Sequence, residues 1–326
     1  MQRMLETPFL GQNPRSCRMR VLVTGGTGFL GKNIKDYLPK LLGEEYKVTL
    51  IGSQPYDLRC QQAVRKALEY YNPDVIVHAA GSVGGIGANQ ENPGKFMYDN
   101  LIMGANLIEY ARIRKLQKFV LLGTVCAYPK HTPTPFLESY LWEGYPEETN
   151  APYGIAKKSL MKLLETYGEQ YKMRGANLIP VNMYGPHDHF NLTSSHVIPA
   201  LILKFYNAIK NGDRQVRVWG TGQASREFLY APDCVEAIAK AITTDVSLEP
   251  INIGTGEEIK IMDLVMEIGE QMGFEGDIIW ESDKPDGQPR RCLDTARAKA
   301  RLGFEAKTDF QTGLKNTIEW FLRMKK

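Results

Sequence analysis

The feature that most constrains the fold is a regular alternation of short apolar runs with helical segments, which begins at Met19. The runs are rich in Val, Ile and Leu, and polar residues, Gly or Pro separate them from the helices. Apolar strands joined by helices are typical of a parallel sheet that is buried on both faces. We therefore expect an α/β fold with a doubly wound parallel sheet of the Rossmann type. Its predicted strands lie at 20–24, 46–51, 74–78, 118–122 and 176–181, and its predicted helices at 28–41, 60–71, 93–113 and 152–174.

The pattern changes in the C-terminal half, where Pro and Gly clusters interrupt shorter strand and helix segments. A chain of 326 residues is too long for one small domain. We therefore expect residues 19–182 to form mainly the Rossmann domain. Residues 183–326 should form mainly a smaller mixed α/β lobe for the substrate, with segments that return to the Rossmann domain.

Composition argues against several classes of function. The net charge of +3 without a basic run argues against a nucleic-acid partner, and no apolar run has the roughly 20 residues that cross a bilayer. Five single cysteines favour a reducing compartment, which we expect to be the cytoplasm. His187 and His189 flank Asp188, but without further ligands nearby in sequence we expect no metal. Residues 1–18 are expected to be a disordered extension, with an upstream start codon or a transit peptide as alternatives.

A glycine-rich turn connects the first predicted strand to the first predicted helix. Gly25 would permit a tight turn, Gly28 would let the backbone approach a pyrophosphate, and Gly31 would allow close packing of helix and strand. The helix N-terminus would then hold the phosphates, because its free N–H groups and its dipole favour anions. The expected dinucleotide-binding residues of this turn are Gly25, Thr27, Gly28, Phe29, Leu30 and Gly31.

The end of the second predicted strand indicates which dinucleotide is bound. An acidic residue there would bind the ribose hydroxyls of NAD, whereas this chain has Gly52, Ser53 and Gln54. We therefore expect NADP(H), with NAD(H) as the alternative, and we expect Ser53 to contact it. Asp57 and Leu58 are expected beside the adenine, although a helix N-cap explains Asp57 equally well.

Tyr153 and Lys157 stand four residues apart on a predicted helix, so their side chains share one face. A phenol is a poor acid–base catalyst at neutral pH, but a nearby ammonium and a cationic nicotinamide would lower its pKa. Thr124 follows the strand at 118–122, where its hydroxyl could bond the same substrate oxygen. These three residues predict a reductase that uses a nicotinamide cofactor.

The glycine turn, Thr124, Tyr153 and Lys157 together resemble the extended short-chain dehydrogenase/reductase superfamily. The segment 78–81, His-Ala-Ala-Gly, is similar to that group as well. The resemblance implies that Lys157 also binds the cofactor, and it adds the following cofactor-binding residues: Ala79, Ala80 and Gly81.

From Met19 onward the chain most resembles the GDP-L-fucose synthase family, the GDP-4-keto-6-deoxy-D-mannose 3,5-epimerases/4-reductases. The resemblance implies that a cysteine and a histidine invert C3 and C5 beside the ketone, and it maps these roles onto Cys126 and His196. NADPH and Tyr153 would then reduce C4 to give GDP-L-fucose. The stretches that carry this resemblance are 82–86, 126–130, 182–188, 195–200 and 284–290 with Leu293-Asp294.

The resemblance also implies a substrate site, which would make the C-terminal lobe a nucleotide-sugar-binding lobe, and a homodimer that forms through the helices at 93–113 and 152–174. Three departures from the family pattern concern Lys204, where an arginine is frequent, Thr124, where serine is commoner, and 52–54, which lack a basic residue. The expected substrate-binding residues are Val83, Gly84, Gly85, Asn182, Lys204, Trp219, Arg226 and Lys284.

Three alternatives remain open at the level of sequence. The first is a C4-reductase, with or without epimerisation, of another GDP-4-keto sugar such as a GDP-heptose. The second is a redox-neutral nucleotide-sugar epimerase that contains NAD. The third is a non-catalytic nucleotide sensor, against which the complete set of Thr124, Tyr153 and Lys157 argues.

Overall fold

A computed structural model describes residues 18–192, 195–284 and 288–325. Its centre is a sheet of six parallel strands in the order β10-β5-β4-β3-β1-β2, which confirms the predicted fold class. From β1 the chain continues to β2 on one side of the sheet, and the next strand, β3, lies on the other side of β1. The strand order therefore reverses between β1 and β3, and sheets of this kind bind ligands at such a switch point. The six strands are β1 (Met19–Thr24), β2 (Tyr46–Ile51), β3 (Val75–His78), β4 (Lys118–Leu122), β5 (Gly175–Pro180) and β10 (Pro250–Ile253).

Helices pack along the sheet in two groups. In one group, α4 lies between α2 and α5, and in the other, α1 packs on α7. Strands β3, β4, β5 and β10 are buried along their whole length, as expected for strands covered by helices on both faces. The helices are α1 (Phe29–Leu42), α2 (Gln61–Tyr71), α3 (Ile86–Glu91), α4 (Pro93–Ile113), α5 (Ala151–Tyr171) and α7 (Ala231–Thr243).

The C-terminal half forms a second hydrophobic core, which is built around large side chains such as Tyr184, Phe205 and Phe321. Three two-stranded sheets surround this core, while α7, β10 and α9 return to the six-stranded sheet. The strands are β6 (Asn182–Tyr184), β7 (Gln215–Trp219), β8 (Ser225–Arg226), β9 (Phe228–Tyr230), β11 (Ile259–Lys260) and β12 (Asp277–Glu281). The helices are α6 (Val197–Asn211), α8 (Ile261–Met272), α9 (Ala296–Leu302) and α10 (Phe310–Lys325).

The structure differs from the prediction at one helix boundary and contains one helix that was not predicted. The helix at 152–174 ends at Tyr171, because Lys172 adopts a left-handed conformation with φ of 59° and its N–H closes the last turn on Gly168. The loop before α4 contains α3, a six-residue helix too short for a periodic pattern to reveal. The interpretation of residues 1–17 and of Pro285-Asp286-Gly287 concerns segments outside the described residues.

Two further features concern the described part of the chain as a whole. None of its helices is long and apolar enough to cross a membrane. No group of three or more His, Cys, Asp or Glu side chains within these residues is arranged to hold a metal ion. His187 instead contacts Asp36, with 2.9 Å between Nε2 and Oδ2.

Candidate active site

The glycine turn brings β1, α1 and β3 into contact at the switch point of the sheet. Gly25 has a φ of 79°, and a Cβ there would lie 2.8 Å from the backbone of Ala80. A Cβ on Gly31 would lie 2.1 Å from the carbonyl oxygen of Gly25. Both positions therefore require glycine, one for its conformation and both for the close approach of backbones.

A cavity of about 370 Å³ opens beside this turn. The N-cap of α1 is Gly28, which has no side chain to bond the N–H groups of the first helical turn, so these groups can bind a phosphate. Phe29, Leu30, Gly31 and Lys157 do not line the cavity. The predicted cofactor residues that do line it are Gly25, Thr27, Gly28, Ser53, Asp57, Leu58, Ala79, Ala80 and Gly81. The cavity therefore brings together the expected cofactor residues of the glycine turn and of the segments after β2 and β3.

The side of the cavity lined by Asp57, Arg59 and Asp99 carries an ion-pair network that the sequence did not predict. Arg59 pairs with Asp57 at 2.8 Å and with the buried Asp99 at 3.1 Å, and Lys95 also pairs with Asp99. The Arg59 hydrogen bond lowers the pKa of Asp57. Asp57 is not a helix N-cap, because α2 begins after Cys60. Gly52 leaves room for Thr27, whose methyl group would lie 2.8 Å from a Cβ at position 52.

Tyr153 lies on the first turn of α5 and is 9% exposed. Burial raises the pKa of its hydroxyl well above the ordinary value, the neighbouring Cys126 adds to this rise, and hydrogen bonding with Thr124 opposes it. The expected lowering of this pKa by Lys157 together with a cationic nicotinamide concerns the cofactor-bound protein and stays a prediction. The raised pKa keeps the proton on Tyr153.

Lys157 lies one turn further along α5 and is almost fully buried. Its ammonium donates to the carbonyl oxygen of Leu122 at 3.1 Å and to that of Ala80 at 3.4 Å. Burial lowers its pKa to about 8. Within the described residues no hydrogen bond joins Lys157 to Tyr153. Lys157 therefore links the segment after β3 to the end of β4.

Cys126 lies in a short 3-10 turn (Val125–Ala127) that follows the end of β4 at Leu122. Thr124 begins this turn, and its hydroxyl accepts a hydrogen bond from the Cys126 N–H at 3.2 Å. The turn packs against α5 at Gly154, where a Cβ would lie 2.3 Å from the Cys126 carbonyl oxygen. Gly154 thus lets Cys126 and Tyr153 come close together, a requirement that the sequence analysis missed.

Arg291 is a further residue that the sequence did not indicate. Its Nη1 donates to Cys126 Sγ at 3.9 Å, across a separation of 165 residues. Arg291 directly follows the 284–290 stretch, and no local sequence pattern distinguishes it from Arg290. The structure therefore places a guanidinium beside the thiol that the family resemblance selects.

His196 is the N-cap residue of α6, at the edge of the C-terminal core. The residue is solvent-exposed, and desolvation by the surrounding protein lowers the pKa of its imidazole. Among the described residues, no hydrogen bond connects His196 to Cys126 or Tyr153. Its role as an acid therefore stays a prediction.

The predicted glycine segment near the substrate is held by two asparagines. Asn89 donates to the carbonyl oxygens of Gly84 at 2.8 Å and Gly85 at 3.1 Å. Asn100 accepts from the Ser82 N–H at 3.1 Å and donates to the Ser82 carbonyl at 2.8 Å. Val83 lies between these anchors and is half exposed. The 82–85 segment is therefore held in place by Asn89 and Asn100, neither of which was predicted from the sequence.

The other predicted substrate residues lie in the C-terminal half. Lys204 donates to the carbonyl oxygen of Arg217 at 2.9 Å, and its ammonium lies 6.0 Å from the ring centre of Trp219. Trp219 is 66% exposed, so core packing does not explain it. Arg226 is half-buried and donates to the Ser225 carbonyl at 2.7 Å.

Asn182 and Lys284 complete this predicted set. Asn182 lies on β6, and its amide donates to the Glu227 carbonyl at 3.2 Å. Lys284 follows β12, and its ammonium lies 3.5 Å from the carboxylate of Asp283. The structure thus gives each residue a partner within the protein and leaves its contact with substrate a prediction.

We expect Gly31→Ala to weaken NADPH binding at least about tenfold, because the added methyl group would collide with Gly25 and displace α1 from the turn. Fluorescence titration of NADPH measures the change. Gly94→Ala is the matched control, since a Cβ at position 94 would meet no atom within 4 Å. Equal NADPH affinity in both variants would contradict the assignment of this turn to the cofactor.

Comparison with known proteins adds independent findings. The model of the NAD dependent epimerase/dehydratase family matches residues 21–254. A GDP-L-fucose synthase from Sinorhizobium fredii is 39% identical to this chain over 303 residues, which cover 93% of this chain and 95% of that protein.

Two solved structures are similar over nearly the whole chain. A GDP-L-fucose synthetase from Naegleria fowleri bound to NADP superposes with a TM-score of 0.84 at 29% identity and covers 94% of both chains. A GDP-mannoheptose C4 reductase from Campylobacter jejuni, also with NADP bound, has a TM-score of 0.84 at 26% identity and covers 94% of this chain and 98% of that one.

Proposed function

The chain belongs to the NAD dependent epimerase/dehydratase family and, within it, to the GDP-L-fucose synthases, and on that premise we propose that it converts GDP-4-keto-6-deoxy-D-mannose into GDP-L-fucose. It would invert C3 and C5 and then reduce C4 with NADPH. The observation that carries this proposal is the meeting of Cys126 with Thr124 and Tyr153 beside the cofactor cavity. A simple reductase needs only the last two of these residues.

NADP(H) is the proposed cofactor, held by the glycine turn and the residues that line the cavity, and when bound it supplies the hydride for C4. The similar solved structures with NADP bound support this choice. No acidic residue follows β2 at 52–54 that would repel a 2′-phosphate. Lys157 would assist in binding the cofactor, because its ammonium bonds Ala80, which lines the cavity, and Leu122 at the end of β4.

The two inversions use the acidity of hydrogens next to the C4 ketone. Cys126 as a thiolate would remove a proton from C3 or C5, which breaks the C–H bond, forms S–H and leaves an enolate. His196 would deliver a proton to the opposite face of the ring, which re-forms the ketone with inverted configuration. Exchange with water restores the thiolate and the imidazolium before the next inversion.

Reduction of C4 requires a proton donor at the carbonyl oxygen. Tyr153 suits this step, since burial and Cys126 both raise its pKa and so keep it protonated. Thr124, which hydrogen-bonds with Tyr153, would bond the same oxygen and fix its position. Tyr153 would act as an acid after both inversions, so this step does not require that Tyr153 be present as a phenolate.

The GDP part of the substrate would contact the C-terminal lobe. Arg226 suits a diphosphate, because a guanidinium can bond two phosphate oxygens at once. The exposed ring of Trp219 offers a surface for stacking, with the Lys204 ammonium beside it. Val83, Gly84 and Gly85 would border the sugar, and Asn182 and Lys284 would bind the sugar or diphosphate.

We also infer a cytoplasmic homodimer. The exposed apolar side chains of α4 and α5 support pairing through these two helices, which pack side by side. They include Met97, Tyr98, Ile113 and Tyr171. Reducing conditions suit the free thiols of the described cysteines, Cys60, Cys126, Cys234 and Cys292.

Product analysis tests the proposal. The purified enzyme is incubated with GDP-4-keto-6-deoxy-D-mannose and either NADPH or NADH, and the product is identified by NMR. We expect GDP-L-fucose, formed faster with NADPH. The likeness to the GDP-mannoheptose C4 reductase supports a second candidate, a C4-reductase of another GDP-4-keto sugar. A product reduced at C4 with uninverted C3 and C5 would favour that candidate, and tightly bound NAD without net NADPH oxidation would favour a redox-neutral epimerase.

A further inference from the structure

The thiol of Cys126 has a cation as its neighbour. Arg291 Nη1 lies 3.9 Å from Cys126 Sγ, and both residues are half-buried. A guanidinium remains charged at every pH at which proteins are stable, so its field favours negative charge on the sulfur. The partial burial of the pair limits, but does not remove, screening by water.

The Arg291 side chain is oriented by a glutamine. Gln288 Oε1 accepts from Arg291 Nε at 3.3 Å and from Nη2 at 3.1 Å. Gln288 Nε2 in turn donates to the carbonyl oxygen of Lys130 at 2.8 Å, four residues beyond Cys126. The guanidinium is planar, and its Nε and Nη2 are both bonded to Gln288. The remaining nitrogen, Nη1, is therefore directed toward the thiol of Cys126.

The backbone of Arg291 is fixed as well. Its carbonyl oxygen accepts from the Glu227 N–H at 3.0 Å. The buried Glu227 carboxylate accepts from the N–H groups of Leu293 at 2.7 Å and Gly256 at 2.8 Å. Burial raises the pKa of Glu227, and these backbone hydrogen bonds oppose that rise. The segment that carries Arg291 is therefore tied to Glu227, which lies between β8 and β9, and through it to the turn after β10.

The preceding arginine has a different partner. Arg290 pairs with Glu258 at 2.9 Å and is largely exposed. Glu258 also accepts from the Ser225 hydroxyl at 2.8 Å. Two adjacent residues of the same type therefore face separate surroundings, and Arg291 is the one in contact with the sulfur.

We propose that Arg291 is a further catalytic residue, whose charge stabilises the thiolate of Cys126 and thereby the removal of protons from C3 and C5. This inference rests on the proposed function. In the step concerned, the thiolate takes the proton from carbon, the electron pair passes to the ketone oxygen, and the sulfur becomes neutral. Arg291 itself loses and gains no proton.

The first test measures the thiol directly. Cys126 is alkylated with iodoacetamide at pH 7, and peptide-resolved mass spectrometry follows its rate against the exposed Cys60 as an internal reference. We expect Arg291→Met to slow Cys126 alkylation about tenfold, because the thiolate is the reacting form. Arg291→Lys should keep the rate within about threefold of wild type. A smaller side chain would open access and speed the reaction, so a decrease is evidence for the charge effect.

Arg290→Met is the matched control, since it removes the same charge from the neighbouring position. Its alkylation rate at Cys126 should equal that of the wild type. A second readout is deuterium uptake at C3 and C5 of the keto sugar in deuterated water with NADP⁺, which Arg291→Met should slow at least about tenfold. Unchanged NADPH affinity and thermal unfolding would establish that the variant is folded.

The outcomes separate this inference from the proposed function. If Arg291→Met alkylates within twofold of Arg290→Met, the inference is overturned, even if the wild type makes GDP-L-fucose. The same holds if the variant raises only the KM for the GDP-sugar, which would make Arg291 a binding residue. If the wild type takes up no deuterium but its Cys126 alkylation depends on Arg291, the charge pair is supported and the proposed function fails.

Discussion

Tyr153→Phe is expected to slow the NADPH-dependent reduction of C4 about 10³-fold, since a positioned general acid contributes roughly 10²–10⁴-fold. The substitution removes one buried hydroxyl and retains the ring, so the packing of α5 should be unchanged. Deuterium uptake at C3 and C5 should continue, because Cys126 and His196 are intact. NADPH oxidation in the spectrophotometer and NMR of the sugar measure the two activities in one sample.

Tyr167→Phe is the control for this substitution. It lies on the same helix, but its hydroxyl bonds Glu109 at 2.9 Å, away from the cavity. Its reduction rate should match that of the wild type. If Tyr153→Phe reduced C4 within about threefold of wild type, another proton donor would have to be sought.

The second large effect is expected for Cys126→Ser. A serine hydroxyl is far less acidic than a thiol, so the base for the inversions is lost, and we expect deuterium uptake at C3 and C5 to fall at least about 100-fold. NADPH should still bind with its normal affinity, because Cys126 does not line the dinucleotide cavity. NMR of the keto sugar, recorded with NADP⁺ present, measures the loss.

Cys60→Ser provides the matching control, as Cys60 is exposed and caps α2. Deuterium uptake equal to wild type is expected there. Retention of uptake in Cys126→Ser, at either carbon, would mean that a different group removes that proton.

The central sheet could be predicted because its strands and helices are periodic and local. Strand β2 at Tyr46–Ile51 and helix α4 at Pro93–Ile113 have the predicted bounds. The glycine turn was predictable for the same reason, since a strand, three glycines and a helix follow one another within a few residues. Its requirement for glycine at Gly25 and Gly31 is borne out by the backbone contacts there.

The surroundings of Cys126 could not be predicted, because they depend on residues distant in sequence. Arg291 reaches the thiol from 165 residues away, and the bonds of Glu227, Gln288 and Phe136 that hold the 288–294 segment in place all join residues distant in sequence. Gly154 is one helix position from Tyr153, but its role depends on the approach of the Cys126 turn. Neither relation leaves a periodic pattern in the sequence.

The pKa of Tyr153 is a further case in which the sequence was insufficient. Spacing indicates that Tyr153 and Lys157 share a helix face, but it does not tell how deeply each is buried. In the structure, desolvation is the largest cause for both groups, raising the pKa of Tyr153 and lowering that of Lys157. The tyrosine is therefore better suited to donate a proton than to act as a phenolate base.

The most direct test of the central claim is the position of deuterium in the product. The enzyme is incubated with GDP-4-keto-6-deoxy-D-mannose and NADPH in deuterated water, and the product is examined by NMR. The proposed function predicts GDP-L-fucose with one solvent deuterium at C3 and one at C5, and with hydrogen from NADPH at C4. A C4-reduced product without deuterium at C3 and C5 would contradict it.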